Sequence, residues 1–282
     1  MKTLFITSIY SNLWGTEFGG RPSREYHYRI SLQNILNMNP TKCVCFTSSD
    51  EIENLKNVFY NNFKMPQEQL SFVIFDLHNT KYFDEIRKLK NLEEMKRTDR
   101  CYEIQYNKFM WKYNINEIYN YDRVYWIDSG LSHGGIFPEK YQKDNSREGH
   151  YKISLFSQKY LNHLNQLTSD KILLLSKNNE GQFFWSQQIP QHYYKEFDRS
   201  KHIIGGLFGG TPKKFLEFCD KFETLLIQLL RNENQLYMEE LIMSCLYFNE
   251  KNNFTLLEFD DWYKREHHND PNIKYFYNMF EL

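Results

Sequence analysis

Apolar and polar positions along this chain follow two rhythms. Short runs rich in β-branched and aromatic residues fall at 3–10, 42–47, 71–77, 123–128, 171–176, 202–207 and 254–259, and each reads as a β-strand. Between the early runs lie polar and amphipathic segments of helical length. One spans 23–38 with Ser23 as its N-cap, and another spans 84–100, with Ile86, Leu89, Leu92 and Met95 forming a narrow stripe under a charged face. A third begins at Glu103 and leads through Lys108, Phe109 and Trp111 toward the fourth strand. Strands alternating with helices predict an α/β fold: a Rossmann-like, mostly parallel central sheet flanked by helices, in one domain over 1–282.

The second half carries the clearest helix. Thr211 suits an N-cap and Pro212 a first helical residue, and Phe215, Phe218, Cys219, Phe222, Leu225, Leu226 and Leu229 keep the helical period, so this stripe is core. A further helix from about residue 234 buries Leu241, Ile242, Cys245 and Leu246. On its wheel Glu239 falls at the flank of the buried face and Glu240 roughly opposite it. Both also suit the dipole at a helix start.

One stretch concentrates the chemistry. Val124, Tyr125, Trp126 and Ile127 deliver a single carboxylate, Asp128, into a small-residue turn, Ser129-Gly130. A carboxylate at a strand's carboxyl end is well placed, because ligands of open α/β sheets sit outside those ends. The plain alternative is a strand closing in an Asx turn.

Other segments are less specific. After the first strand, Gly15, Gly19 and Gly20 precede Arg21 and Arg24 and a helix start, which suits phosphates. The spacing is not the dinucleotide fingerprint, and a surface turn explains it equally. Lys108 either faces an anionic ligand or is simply wet. Residues 138–169 are polar and read as a lid over the site or as an open excursion. Gly205, Gly206, Gly209 and Gly210 flank Leu207-Phe208 and leave bare backbone for a flat or sugar-like ligand. Near the end, Asp260, Asp261, His267 and His268 are either metal or phosphate contacts or exposed surface.

Composition narrows the classes. The 35 basic and 36 acidic residues nearly cancel, which argues against a nucleic-acid binder relying on a strong positive field. Five cysteines, an odd number in a long chain, do not make a disulfide framework and point to a reducing, cytoplasmic setting; Cys43 and Cys45 read as packing residues. No stretch is long and apolar enough to span a bilayer, and the first ten residues read as a strand in place of a signal peptide.

Taken together, the aromatic strand ending at Asp128, the glycine segment 205–210, the carboxylate helix and the His-bearing tail resemble GT-A glycosyltransferases. Asn107-Lys108-Phe109 and Trp126-Ile127-Asp128-Ser129-Gly130 are similar to the bacterial HtrL/YibB-like group. The resemblance implies a single GT-A-like domain over 1–282, with a nucleotide-binding half at 1–130 and an acceptor-binding half at 131–282, a nucleoside diphosphate sugar donor, most often a UDP-sugar, and a glycan or lipid-linked saccharide acceptor in surface polysaccharide synthesis. It also implies peripheral work at the inner face of the cytoplasmic membrane. Donor contacts would come from Thr7, Arg21, Arg24, Lys108, Trp126, Ile127, Asp128, Ser129, Gly130, Gly205, Gly206, Phe208 and Gly209. Glu239, Glu240 and Asp128 would be the catalytic carboxylates, either glutamate acting as general base.

That family uses Mn2+ or Mg2+ held by an Asp-x-Asp, because a hard cation neutralises the leaving diphosphate. Here one carboxylate is missing, since Trp126 stands two residues before Asp128 and Gly130 two after. Asp261 or His268 would have to complete the metal site with Asp128, or Arg and Lys would replace the ion. Two other classes stay open: a nucleotidyltransferase acting on a sugar phosphate, and a catalytically inactive carbohydrate-binding protein.

Overall fold

The computed structural model describes residues 1–11, 13, 16–18, 25–89, 101–130, 158–178, 189–195 and 201–259. All seven expected strands are present: β1 (Thr3–Ser8), β2 (Lys42–Thr47), β3 (Leu70–Ile74), β4 (Arg123–Ile127), β5 (Ile172–Asn178), β6 (Lys201–Gly210) and β7 (Phe254–Phe259). They form one sheet in the order β3-β2-β1-β4-β6-β5-β7. β6 alone runs antiparallel to its neighbours β4 and β5. The sheet is therefore mostly parallel, and it joins the two halves of the sequence into a single α/β domain.

Residue alternation along the strands sends side chains to two cores, the period-two pattern of a sheet covered on both faces. On one face Leu4, Ile6, Val44, Phe46, Val124, Trp126 and Phe208 pack with α4 (Tyr102–Asn107), α6 (Pro212–Gln228) and α7 (Glu239–Asn249). On the other Phe5, Cys43, Cys45, Tyr125, Ile127 and Leu207 meet α1 (Glu25–Leu36), α2 (Ile52–Lys56) and α5 (Gln158–Leu167). The abundant aromatics build stacks in the first core. Phe109 lies parallel to both Phe208 and Phe222, and Trp111 lies between Phe46 and Trp126 at centroid distances of 5.0 and 5.6 Å. Each such pair contributes about 0.5–1.5 kcal/mol beyond its area.

Three expectations need correction or restriction. The polar stretch 138–169 is not all loop, because Tyr160, Leu161 and Leu164 of α5 are buried at helical spacing among Asn, Gln and His side chains that disguise it. The lid expected earlier in that stretch, at 138–157, lies outside the described residues. The charged helix at 84–100 is described only as α3 (Phe83–Arg87), with residues 90–100 outside the described set. β6 runs on as strand to Gly210, because Gly209 lets it lie against Tyr125; a Cβ there would come within 2.3 Å of that ring and 2.4 Å of the Val124 carbonyl.

α6 starts as its sequence suggests, with Thr211 Oγ1 accepting from the Lys214 amide and Pro212 first in the helix. All five cysteines are free and buried, and no described helix is long and apolar enough to cross a membrane.

Candidate active site at the carboxyl ends of β1 and β4

Strand order reverses between β1 and β4: from β1 the chain builds outward to β2 and β3, then returns to lay β4 on β1's other side. Such a switch point opens a crevice at the strands' carboxyl ends. Its floor is tied together by Ser129, whose hydroxyl donates to the Ser8 carbonyl at 2.6 Å.

Asp128 stands at this rim with its side chain 41% exposed. Its backbone N–H donates to the Gly206 carbonyl at 2.9 Å, extending the β4–β6 ladder by one bond. Its carboxylate Oδ1 accepts from Trp126 Nε1 at 2.7 Å. Trp126 occupies the position where an Asp-x-Asp would place its first carboxylate, and here it orients the remaining one.

Behind Asp128 lies a buried cation. Lys108 follows α4 in a run of large apolar residues, and its side chain is 2% exposed. The wet reading of this lysine is therefore overturned. Its Nζ donates to the Gly205 carbonyl at 3.0 Å and to Glu239 Oε1 at 3.1 Å, and lies 3.9 Å from Asp128 Oδ1. Burial alone would lower the Lys108 pKa, but the carboxylates of Asp128, Glu239 and Glu240 outweigh it and hold it above the ordinary lysine value. The ammonium stays charged at neutral pH.

The glycine segment meets this group through a bulge. Leu174 of β5 pairs with Phe208 and the next residue, Leu175, pairs with Ile204, so residues 205–207 are looped out of the β5 ladder. Bulges free backbone groups and re-aim a strand beside a site. Here the freed groups are taken at once: the Gly205 N–H donates to Glu240 Oε1 at 3.2 Å and its carbonyl accepts from Lys108. A Cβ at 205 would meet Lys108 Nζ at 2.6 Å and Glu239 Oε1 at 2.9 Å, so any larger residue would have to push these two side-chain ends aside.

Glu239 and Glu240 open α7, and both are buried. The sequence wheel put Glu240 away from the core; it is inside because this helix start packs against β6, where its carboxylate meets the Gly205 N–H and His202. Gln105, with its amide nitrogen turned toward the carboxylate, donates to both oxygens of Glu239. Glu240 Oε2 lies 3.2 Å from His202 Nε2.

The fold thus brings Asp128, Lys108, Trp126, Ser129, Gly205, Gly206, Glu239 and Glu240 into one cluster. The side chains of Ile127 and Phe208 are instead fully buried in the two cores, and Gly209 packs on Tyr125, so these three present no side chain or open backbone to a ligand. Thr7 is fully buried on β1. Gly130 is covered by Tyr28, whose ring would meet a Cβ there at 2.7 Å. Arg21, Arg24, Asp261 and His268 lie outside the described residues. Gln105 and His202 were not foreseen as site residues. Gln105 precedes Lys108 by three, the spacing of one helical face, which is the signal that marks it.

Of the ligands expected for Mn2+ or Mg2+, Asp128 alone is described. No three His, Cys, Asp or Glu side chains among the described residues group to hold an ion, and the nearest charge to Asp128 is an ammonium. This donor set does not make a metal site by itself.

Fold and site define an α/β protein whose doubly wound sheet carries a polar cluster at its switch point. Comparison with protein-family models and with curated proteins finds no match. Among solved structures of similar shape is 4-diphosphocytidyl-2C-methyl-D-erythritol synthase from Anaerococcus prevotii, with a TM-score of 0.44 and 10% identity over 92% of this chain and 90% of that one.

Proposed function

We propose that the protein is a nucleotide-dependent transferase and that the group it transfers is a glycosyl unit, carried by a nucleoside diphosphate sugar such as a UDP-sugar. The acceptor is a glycan or lipid-linked saccharide. One observation carries this reading: an accessible carboxylate at the switch point, oriented by Trp126 and backed by a buried ammonium, beside the backbone of Gly205 and Gly206. Carboxylates accept hydrogen bonds from sugar hydroxyls.

In a direct displacement the acceptor oxygen forms a bond to the anomeric carbon. The bond from that carbon to the diphosphate oxygen breaks, and its electron pair leaves with the diphosphate. Asp128, as the exposed carboxylate of the cluster, takes the acceptor's proton. One ammonium among three carboxylates leaves the described cluster negative, so the diphosphate needs positive charge from elsewhere. Arg21 and Arg24, at the helix start after β1, are the proposed source.

A thermal-shift panel tests the reading. Stabilisation by UDP, GDP or their sugar conjugates, with Mg2+ or Mn2+ present, supports glycosyl transfer. Stabilisation by nucleoside triphosphates alone replaces it with nucleotidyl transfer to a sugar phosphate. A response to free saccharides without any nucleotide replaces it with a carbohydrate-binding role.

A further inference from the structure

Glu239 and Glu240 are the carboxylates that a transferase reading would first nominate as the general base, and their surroundings argue for a different task. Their side chains are 2% and 8% exposed, against 41% for Asp128. Their contacts with the described residues hold neighbours in place. Glu239 takes the Lys108 ammonium and the Gln105 amide, while Glu240 takes the Gly205 N–H and His202. The carbonyl of the same residue, Gly205, accepts from Lys108. One looped-out glycine is thus held through its N–H by one carboxylate and, through Lys108, at its carbonyl by the other.

We infer that Glu239 and Glu240 are positioning residues, which clamp the bulge at Gly205 and the Lys108 ammonium against Asp128, and that neither takes the acceptor's proton. This role deepens the transferase reading and rests on it for its kinetic consequence only. A hydrogen-bond acceptor at position 240 is what the clamp needs, and a glutamine side-chain oxygen supplies one. A proton acceptor is what a base needs, and glutamine does not supply that.

Among the described residues, the titratable and charged groups facing the clamp include Lys108 from the segment after α4, Tyr106 of α4, Asp128 from the β4 end, His202 from β6 and the two glutamates themselves.

The test is amide hydrogen exchange at Gly205, joined to steady-state kinetics of Glu240→Gln, Glu240→Leu and Glu239→Gln. In the wild type the Gly205 amide is expected to be protected; exchange at the rate of an open loop amide overturns the clamp. Glu240→Gln keeps the protection, and Glu240→Leu raises the exchange rate by about tenfold or more, as loss of a local hydrogen bond does.

Glu240→Gln is expected to keep kcat within about threefold of wild type, and both glutamine variants to retain the acid limb of its pH profile, whereas loss of a general base costs about 10²–10⁴-fold. A loss of that size in either variant, with disappearance of the acid limb, makes that residue the base and overturns the inference. Glu240→Leu lowers kcat more than it changes the donor KM. If Glu240→Leu does not fold, wild-type exchange and the glutamine variants decide. If the wild type transfers no sugar, the transferase reading falls, while exchange still decides the clamp.

Discussion

Lys108 Nζ lies 3.1 Å from Glu239 Oε1, with both side chains 2% exposed, and joins the segment after α4 to the first turn of α7. Charges this deep are tolerated only as a hydrogen-bonded set, because removal of one partner strands the other without water. The ion pair spans 131 residues of sequence and lies directly behind the exposed carboxylate of Asp128.

Lys108→Met is therefore expected to destabilise the protein by about 3–5 kcal/mol, the cost of leaving a buried charge uncompensated. The double variant Lys108→Met with Glu239→Gln recovers part of that loss. Urea unfolding of the two single variants and the double variant measures the coupling; strictly additive losses would contradict a shared ion pair.

Gly205→Ala forces a methyl group into the space of the Lys108–Glu239 contact. Overpacking of this kind costs about 1–3 kcal/mol. The expected signature is a lowered unfolding midpoint together with loss of nucleotide-induced stabilisation. A variant with wild-type behaviour in both would show that the bulge has room to spare.

Away from the site, Glu223 on α6 accepts hydrogen bonds from Lys81 and from the hydroxyls of Tyr82 and Tyr113, the last two at 2.7 Å. Burial pushes its carboxyl pKa up, but these three donors outweigh burial and bring it below the ordinary glutamate value. A depressed carboxyl pKa contributes stability that is fully present above the unfolded value, about 4.5, and is lost as the pH falls through the folded one. Thermal unfolding from pH 6 down to pH 3 is expected to show a shallower acid decline for Glu223→Gln than for wild type. Parallel curves would contradict the assignment.

How much of this was legible beforehand can be judged residue by residue. The strands were, because runs of β-branched, aromatic and other apolar residues such as Lys42–Thr47 and Phe254–Phe259 begin and end where turn residues stand. The cap of α6 was, because Thr211-Pro212 has a local meaning. Asp128 as a strand-end carboxylate was equally plain. Lys108 was not: a lysine's burial depends on partners more than ninety residues away in β6 and α7, which no local pattern displays. Glu240 misled the helical wheel because a wheel assumes one buried face, whereas the first turn of α7 is enclosed by β6 and the residues around it. The bulge at 205–207 was signalled only as glycine content, since a register shift belongs to the pairing of two strands and not to either sequence.

The most direct test of the account is a crystal of the protein soaked with UDP or a UDP-sugar. The account predicts diphosphate density at the carboxyl ends of β1 and β4, with the sugar end against Asp128. Nucleotide density elsewhere, with Asp128 contacting only water, would contradict it.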